Sequence, residues 1–219
     1  THDYSNKQGV EHTRIYAPDH APAWAQDREA LWNAAEAKEN RKNSCTAHEL
    51  EVSFPHEFNP LHRREAGDSI AREIMERYGC AVDIAYHRPT GHTDDRNFHA
   101  HILFTTRGFD PATADGWSKT KYRDLASDLI RDPEGNTTTR GKVEIASLRE
   151  FTAGEMNRIA ERDRLPVRTE HLSFEARGID REPTQKMGAT ATRLEREDIR
   201  SGTEETRSRI ANENRAVDD

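Results

Sequence analysis

The segment "NFHAHILFTT", residues 97–106, places two histidines one residue apart within a stretch that otherwise has the pattern of a half-buried β-strand. One set of alternate positions is apolar and consists of Phe98, Ala100, Ile102 and Phe104. The other set holds His99 and His101. Because successive side chains of a strand point to opposite faces of a sheet, this alternation predicts an apolar face toward the core and both imidazoles on the other face.

Two further segments predict strands with the same division. In "TAHELEVSFP", residues 46–55, Glu49 and Glu51 alternate with apolar residues. In "CAVDIAYH", residues 80–87, Asp83 and His87 share the less apolar phase. A strand at 9–18 and segments of helical period at 21–42, 59–79 and 145–163 complete the pattern. The sequence therefore predicts a mixed α+β protein with three strands that each carry polar groups on one face.

Composition limits the function classes. A chain of 219 residues with a third of them charged is long enough for one domain with a charged extension. The net charge of -7 argues against indiscriminate nucleic-acid binding, although a local basic surface is compatible with it. No apolar run of membrane-spanning length occurs, and no secretory leader opens the chain. We expect a cytoplasmic protein without membrane insertion, and we interpret the chain as a fragment of a longer one.

The histidine phases suggest a metal site. Residues at i and i+2 of a strand point the same way, so His99 and His101 can converge on one ion, and His87 can join them from a neighbouring strand. Three neutral imidazoles leave coordination positions open, which is typical of a metal that takes part in chemistry. Alternatively these residues form a solvated strand face. His92 competes for the third position, but its place in a polar loop makes it the weaker candidate.

The segment 107–145 is rich in Gly, Asp, Thr and Lys and predicts a long surface excursion. Lys119, Lys121 and Arg123 lie within it and are either solvated charges or phosphate contacts. The last thirty residues carry many charges and few apolar side chains, which predicts an exposed helical tail or linker.

Three stretches then resemble a known family in their order and spacing. They are "THDYSNKQGVEHTRIYAPDHAPAWAQDREALWNAAEAKENRKNSCTAHELEVSFP" from residue 1, "VDIAYHRPTGHTDDRNFHAHILFTTR" from residue 82, and "EHLSFEARGIDREPTQKMG" from residue 170. This order closely resembles the MobA/MobL family of plasmid-mobilisation relaxases, which includes the amino-terminal relaxase part of TraA-type conjugation proteins. The resemblance covers residues 1 to about 194 and is interrupted at 108–145. It implies a relaxase domain over 1–194 and a charged helical tail or linker over 195–219.

The resemblance implies an HUH-endonuclease fold, in which helices back a central antiparallel sheet. It also implies site- and strand-specific DNA nicking and religation with a divalent metal ion, either Mn, Mg or Zn. The family's metal-binding histidines correspond to His87, His99 and His101. Its catalytic carboxylate corresponds to Glu49, with Glu51 as a second candidate, although His48 stands where the family has Arg.

The implied partners are single-stranded or hairpin origin-of-transfer DNA, relaxosome accessory proteins and a type IV coupling protein. We expect the basic residues to contact the DNA. They are Lys119, Lys121, Arg123, Arg177 and Arg181.

The family's nucleophilic tyrosine lies in an "AAYRSG"-like segment that this sequence lacks. Tyr4 and Tyr16 do not match that segment, so we expect the nucleophile upstream of Thr1 and an inactive fragment. Two alternatives use the same histidines. One is a metal-dependent phosphohydrolase that activates water, and the other is a non-catalytic module that binds origin DNA.

Overall fold

A four-stranded antiparallel sheet forms the centre of the fold. The computed structural model describes residues 9–89, 96–132, 135–181, 189–202 and 210. The strands are β1 (Val10–Tyr16), β2 (Ala47–Ser53), β3 (Cys80–His87) and β4 (His99–Gly108), and their order across the sheet is β1-β3-β4-β2. A small hairpin of β5 (Leu129–Arg131) and β6 (Thr137–Thr139) stands apart from this sheet.

The described ranges contain four α-helices: α1 (Arg28–Lys38), α2 (Pro60–Tyr78), α3 (Arg140–Arg162) and α4 (Ala189–Ser201). One-turn 3-10 helices occur at Ala23–Gln26 and Glu175–Arg177. Asn59 caps the start of α2, and Gly79 ends it with a left-handed φ of 60°, so that β3 begins at the next residue. The predicted α+β class, with helices backing an antiparallel sheet, is confirmed.

The register of the sheet separates an apolar face from a polar face. Val82 pairs with Phe104 and Ile84 pairs with Ile102, and all four side chains are almost fully buried. Helix α2 packs against this face with Ile70 and Ile74, and residues of α3 belong to the same core. The division of β2, β3 and β4 into two phases, predicted from alternation, is confirmed.

Helix α1 covers part of the opposite face. Leu31 and Ala35 of α1 are buried in a second cluster with Ala81 of β3. Asp83 lies two residues further along β3, where Arg28 donates two hydrogen bonds to it at 2.8 Å and Trp32 Nε1 donates one at 3.0 Å. These bonds tie α1 to the middle of β3 and leave the His87 end of the strand uncovered by them.

Three predictions made from the sequence differ from the structure. The predicted single helix at 21–42 is two helices, because Asp27 adopts an extended conformation and its side chain caps α1 at Ala30 N. Helix α3 begins at Arg140, five residues before the predicted start, because Thr139 caps it there. The excursion at 107–145 is not confined to the surface, because Phe109 and Trp117 stack at 4.8 Å and are buried beside α1.

The described residues divide into two compact units, one that ends at His171 and one that begins at Leu172. The second unit contains α4, so part of the predicted charged tail is helical. Most of residues 203–219 lies outside the described residues. The predicted domain boundary between 194 and 195 falls inside α4 and remains a prediction.

Glu39 anchors an internal ion network just after α1. Its side chain is only 6% exposed and accepts hydrogen bonds from Arg107 Nε at 2.6 Å and Ser44 Oγ at 2.5 Å. Lys121 Nζ lies 2.9 Å from the same carboxylate. Burial raises the pKa of Glu39, but the hydrogen bonds from Ser44, Lys121 and Arg107 outweigh it and lower the pKa to about 2. The network therefore joins α1, β4 and the segment after Trp117.

We predict that Glu39 makes stability depend on pH. Because its pKa in the folded state lies below its ordinary value of 4.5, its contribution is complete above about pH 4.5 and is lost as the pH falls toward 2. A tenfold change in proton affinity is worth about 1.4 kcal/mol, so the loss is on the order of 3 kcal/mol. Urea unfolding of the wild type and of Glu39→Gln, measured from pH 7 to pH 2, checks this.

Glu39→Gln is expected to be less stable at pH 7, because it leaves Arg107 and Lys121 without their carboxylate partner. It is also expected to lose less stability than the wild type on acidification. Glu36→Gln is the matched control, because it changes an exposed carboxylate of α1 three residues before Glu39. Equal acid sensitivity of wild type and Glu39→Gln would contradict the prediction.

Candidate metal centre

The strand register brings the three histidines to one corner of the sheet. His87 pairs directly with His99 across β3 and β4, and His101 pairs with Ala85 of β3 and Glu51 of β2. Residues that face each other across antiparallel strands share a face of the sheet. The three histidines and Glu51 therefore lie on the face opposite the core.

The three imidazoles are mutual neighbours. Their ring centroids are 5.2 Å apart for His87 and His99, 5.0 Å for His87 and His101, and 5.3 Å for His99 and His101. All three side chains are partly exposed. Potential ligand atoms of Glu51, His99 and His101 lie within 4.8 Å of one another. Imidazole nitrogens and a carboxylate oxygen form a donor set that suits a transition metal or zinc ion.

Hydrogen bonds orient two of the rings. His99 Nδ1 lies 3.0 Å from the backbone carbonyl of Asn97, and His101 Nδ1 lies 2.6 Å from Glu49 Oε1. Because a carbonyl oxygen can only accept, His99 donates from Nδ1, and the carboxylate accepts in the same way from His101. The neutral rings then direct the lone pair of Nε2 away from these partners. Metal-binding histidines in proteins are typically fixed in this manner.

The two carboxylates of β2 occupy different places. Glu51 lies opposite His101 and belongs to the group of potential ligands, whereas Glu49 is the hydrogen-bond partner of His101. His48, where the family has Arg, points to the other face, and its ring lies 5.5 Å from that of Phe104. Burial, together with the charge of Lys121, lowers the pKa of His48. His48 is thus a partly buried residue on the core side of the sheet rather than a member of the cluster.

One other candidate ligand of this face does not join the group. Asp83 shares the face of the histidines but is bound by Arg28 and Trp32, as described above. His92, the competing candidate for the third position, lies outside the described residues. The sequence did not predict the contact of His99 with the Asn97 carbonyl, because a backbone acceptor carries no sequence signal.

The tyrosines of the described ranges, from residue 9 onward, lie away from the histidine cluster. Tyr16 and Tyr86 belong to the main core, and Tyr122 stacks on Tyr78 at 4.6 Å in the same core. Burial raises the pKa of all four hydroxyls. Tyr4 lies outside the described residues. None of the four is placed or activated as a nucleophile would be.

The predicted DNA-binding residues fall into two sets. In the first unit, Lys119 is exposed, Lys121 contacts Glu39 and the Cys45 carbonyl, and Arg123 makes a two-point ion pair with Asp128. In the second unit, Arg177 is exposed, and the Arg181 guanidinium lies 5.5 Å from the centre of the Phe174 ring.

No helix in the described ranges is long and apolar enough to span a membrane.

Comparison with known proteins identifies the family. The chain is 32% identical to a mobilization protein MobL of Acidithiobacillus ferridurans over 94% of its own length and 56% of the relative's. It is 28% identical to a conjugal transfer protein TraA of Agrobacterium fabrum over 96% of its length and 20% of that relative's. The chain thus spans about half or less of these curated relatives.

A solved structure shares the fold. It is described as the molecular basis of vancomycin resistance transfer in Staphylococcus aureus, and one of its chains superimposes with a TM-score of 0.62 at 31% identity, over 78% of this chain and 79% of that one. The model of the MobA/MobL family matches residues 1–197. The chain therefore belongs to the MobA/MobL family.

Proposed function

We propose that the chain is the nicking domain of a relaxase, which cuts and rejoins one strand of plasmid DNA at an origin of transfer. The observation that carries the proposal is the cluster of His87, His99 and His101, whose side chains are partly exposed at one corner of the sheet. Membership of the MobA/MobL family supports the same reaction. The proposed substrate is single-stranded or hairpin origin DNA in the cytoplasm, presented with relaxosome accessory proteins and a type IV coupling protein.

We further propose that the three histidines hold a divalent metal ion, with Glu51 as an additional oxygen donor. The donor set fits such an ion, because two rings already have Nδ1 bound and Nε2 directed elsewhere. The ion would polarise the scissile phosphate and stabilise the negative charge that develops there. Glu49 acts through His101, which it orients, rather than on the DNA.

In the proposed reaction a tyrosine hydroxyl attacks the phosphorus, and the bond to the leaving sugar oxygen breaks. That oxygen takes up a proton, and the DNA stays linked to the protein as a phosphotyrosine that the reverse step religates. The burial of Tyr16, Tyr78, Tyr86 and Tyr122 supports a nucleophile other than these residues. We place it upstream of Thr1, as the family motif indicates.

We predict that His87, His99 and His101 are required for binding of Mn²⁺ and that His92 is not. Each change to Ala removes one nitrogen donor, so affinity measured by calorimetric titration should fall by at least about tenfold for the first three variants. His20→Ala, at an exposed position outside the cluster, is the control. Loss of Mn²⁺ binding in His92→Ala, with binding retained in His87→Ala, would show that the third ligand is His92 and not His87.

We predict that single-stranded origin DNA binds with a steep salt dependence, because neutralised phosphates release counterions. Lys119→Ala should weaken binding of all sequences alike and make the salt slope smaller by about 1. Lys142→Ala, an exposed change on α3 behind the sheet, is the matched control. Lys121→Ala should instead lower stability, because Lys121 is paired with Glu39. An affinity that does not change with salt would remove the electrostatic basis of the proposal.

We predict that the 219-residue chain, incubated with origin oligonucleotide and Mn²⁺, forms no denaturation-resistant adduct. A version extended by the upstream residues should form one, and His101→Ala in that version should abolish it. Gel electrophoresis after denaturation is the measurement. A strong adduct of the 219-residue chain that Tyr4→Phe abolishes would make Tyr4 the nucleophile. DNA cleavage without any adduct in either version would favour the phosphohydrolase.

A further inference from the structure

Arg63 of α2 is a buried cation at the end of the sheet that carries the histidines. Its side chain is only 7% exposed. Nη1 donates a hydrogen bond to the Phe58 carbonyl at 2.5 Å, and Nη2 lies 3.6 Å from Glu11 Oε2. The guanidinium carbon lies 3.9 Å from the centre of the Phe98 ring. Burying a charge costs free energy unless the charge is paired. These three partners offset that cost for Arg63.

The partners of Arg63 adjoin two of the proposed metal ligands. Phe98 immediately precedes His99, the first residue of β4. Glu11 follows Val10, which pairs with His87 in the β1–β3 ladder. The register of this ladder shifts between Val10 and His12, so Glu11 is the extra residue of a β-bulge. One guanidinium thus contacts β1 next to Val10, the partner of His87, and the residue just before β4, next to His99.

Both histidines stand at strand ends, where a ladder is less constrained than in its middle. His87 is the last residue of β3 and His99 is the first residue of β4. Ends of elements open more readily than their centres, and a displacement of about 1 Å is large for a metal or catalytic site. The β3–β4 pairing leaves these two rings at the last residue pair of its ladder, and Arg63 supplies further contacts there from helix α2.

We propose that Arg63 is a positioning residue of the metal centre, which holds the ends of β1 and β4 so that His87 and His99 converge. The inference rests on the proposed metal-dependent function. It adds a residue that binds neither metal nor DNA and acts through Phe98 and Glu11.

Arg77 provides a matched control on the same helix. It also binds carboxylates, with Glu73 at 2.7 Å and Glu144 at 2.9 Å, and its guanidinium lies 5.9 Å from the centre of a phenylalanine ring, that of Phe151. It lies at the other end of α2, near the start of β3 and far along that strand from His87. Loss of Arg77 should lower stability without moving the histidines.

The test compares Mn²⁺ affinity with thermal stability in Arg63→Met and Arg77→Met. Both variants should have a lower Tm than the wild type, but Arg63→Met should bind Mn²⁺ about tenfold more weakly and Arg77→Met within about twofold of the wild type. Co²⁺ added to each variant gives a second readout, since the visible absorption reports ligand geometry. The spectrum should change for Arg63→Met and not for Arg77→Met.

Two milder variants keep the test decisive if Arg63→Met does not fold. Arg63→Lys retains the charge but loses the planar contact with Phe98, and Glu11→Gln removes the charge partner from a more exposed position. Both should weaken Mn²⁺ binding, by a smaller factor than Arg63→Met. If the folded Arg63 and Glu11 variants have the Mn²⁺ affinity and the Co²⁺ spectrum of the wild type, the inference about Arg63 is wrong and the proposed function is unaffected. Failure of the wild type to bind either ion would overturn the proposed function, and the inference with it.

Discussion

The antiparallel pairing of β3 with β4 is the constraint on which the candidate site depends. It sets His87 opposite His99 on one face, while Ile84 sits opposite Ile102 on the other. Because side chains alternate along a strand, a slip of one residue would turn the histidines into the core and the isoleucines into solvent. The fully buried isoleucine pair therefore fixes the register that gathers the imidazoles. Packing of the core and assembly of the histidine cluster are two consequences of the same alignment.

The polar face of the sheet is covered by α1 toward one end and carries the histidines toward the other. Toward one end, α1 covers it, and Arg28 and Trp32 bind Asp83. Toward the other end, His99 and His101 remain partly exposed. Asp83 is a carboxylate on the same face as the histidines, yet its bonds to α1 take it out of the ligand set. The position of α1 thus decides which polar residues of this face stay outside the histidine cluster.

The sequence predicted the parts of the structure that follow from local alternation. The phases of His87, His99 and His101 were correct because burial on one face imposes a period of two on a strand. It did not predict the break at Asp27 or the burial of Trp117, because both depend on contacts with segments distant in sequence. For the same reason, the sequence did not predict the position of Arg63. Nothing in a helical segment with many charged residues indicates that one arginine lies against the phenylalanine that precedes β4.

Bound zinc offers the most direct measurement of the central claim, that the register assembles a metal centre from the histidines. An X-ray absorption spectrum of the chain loaded with one equivalent of Zn²⁺ reports how many imidazoles coordinate the ion. We expect scattering from three imidazoles in the wild type and from two in His87→Ala. A spectrum with oxygen ligands alone, or one that does not change in His87→Ala, His99→Ala and His101→Ala, would contradict it.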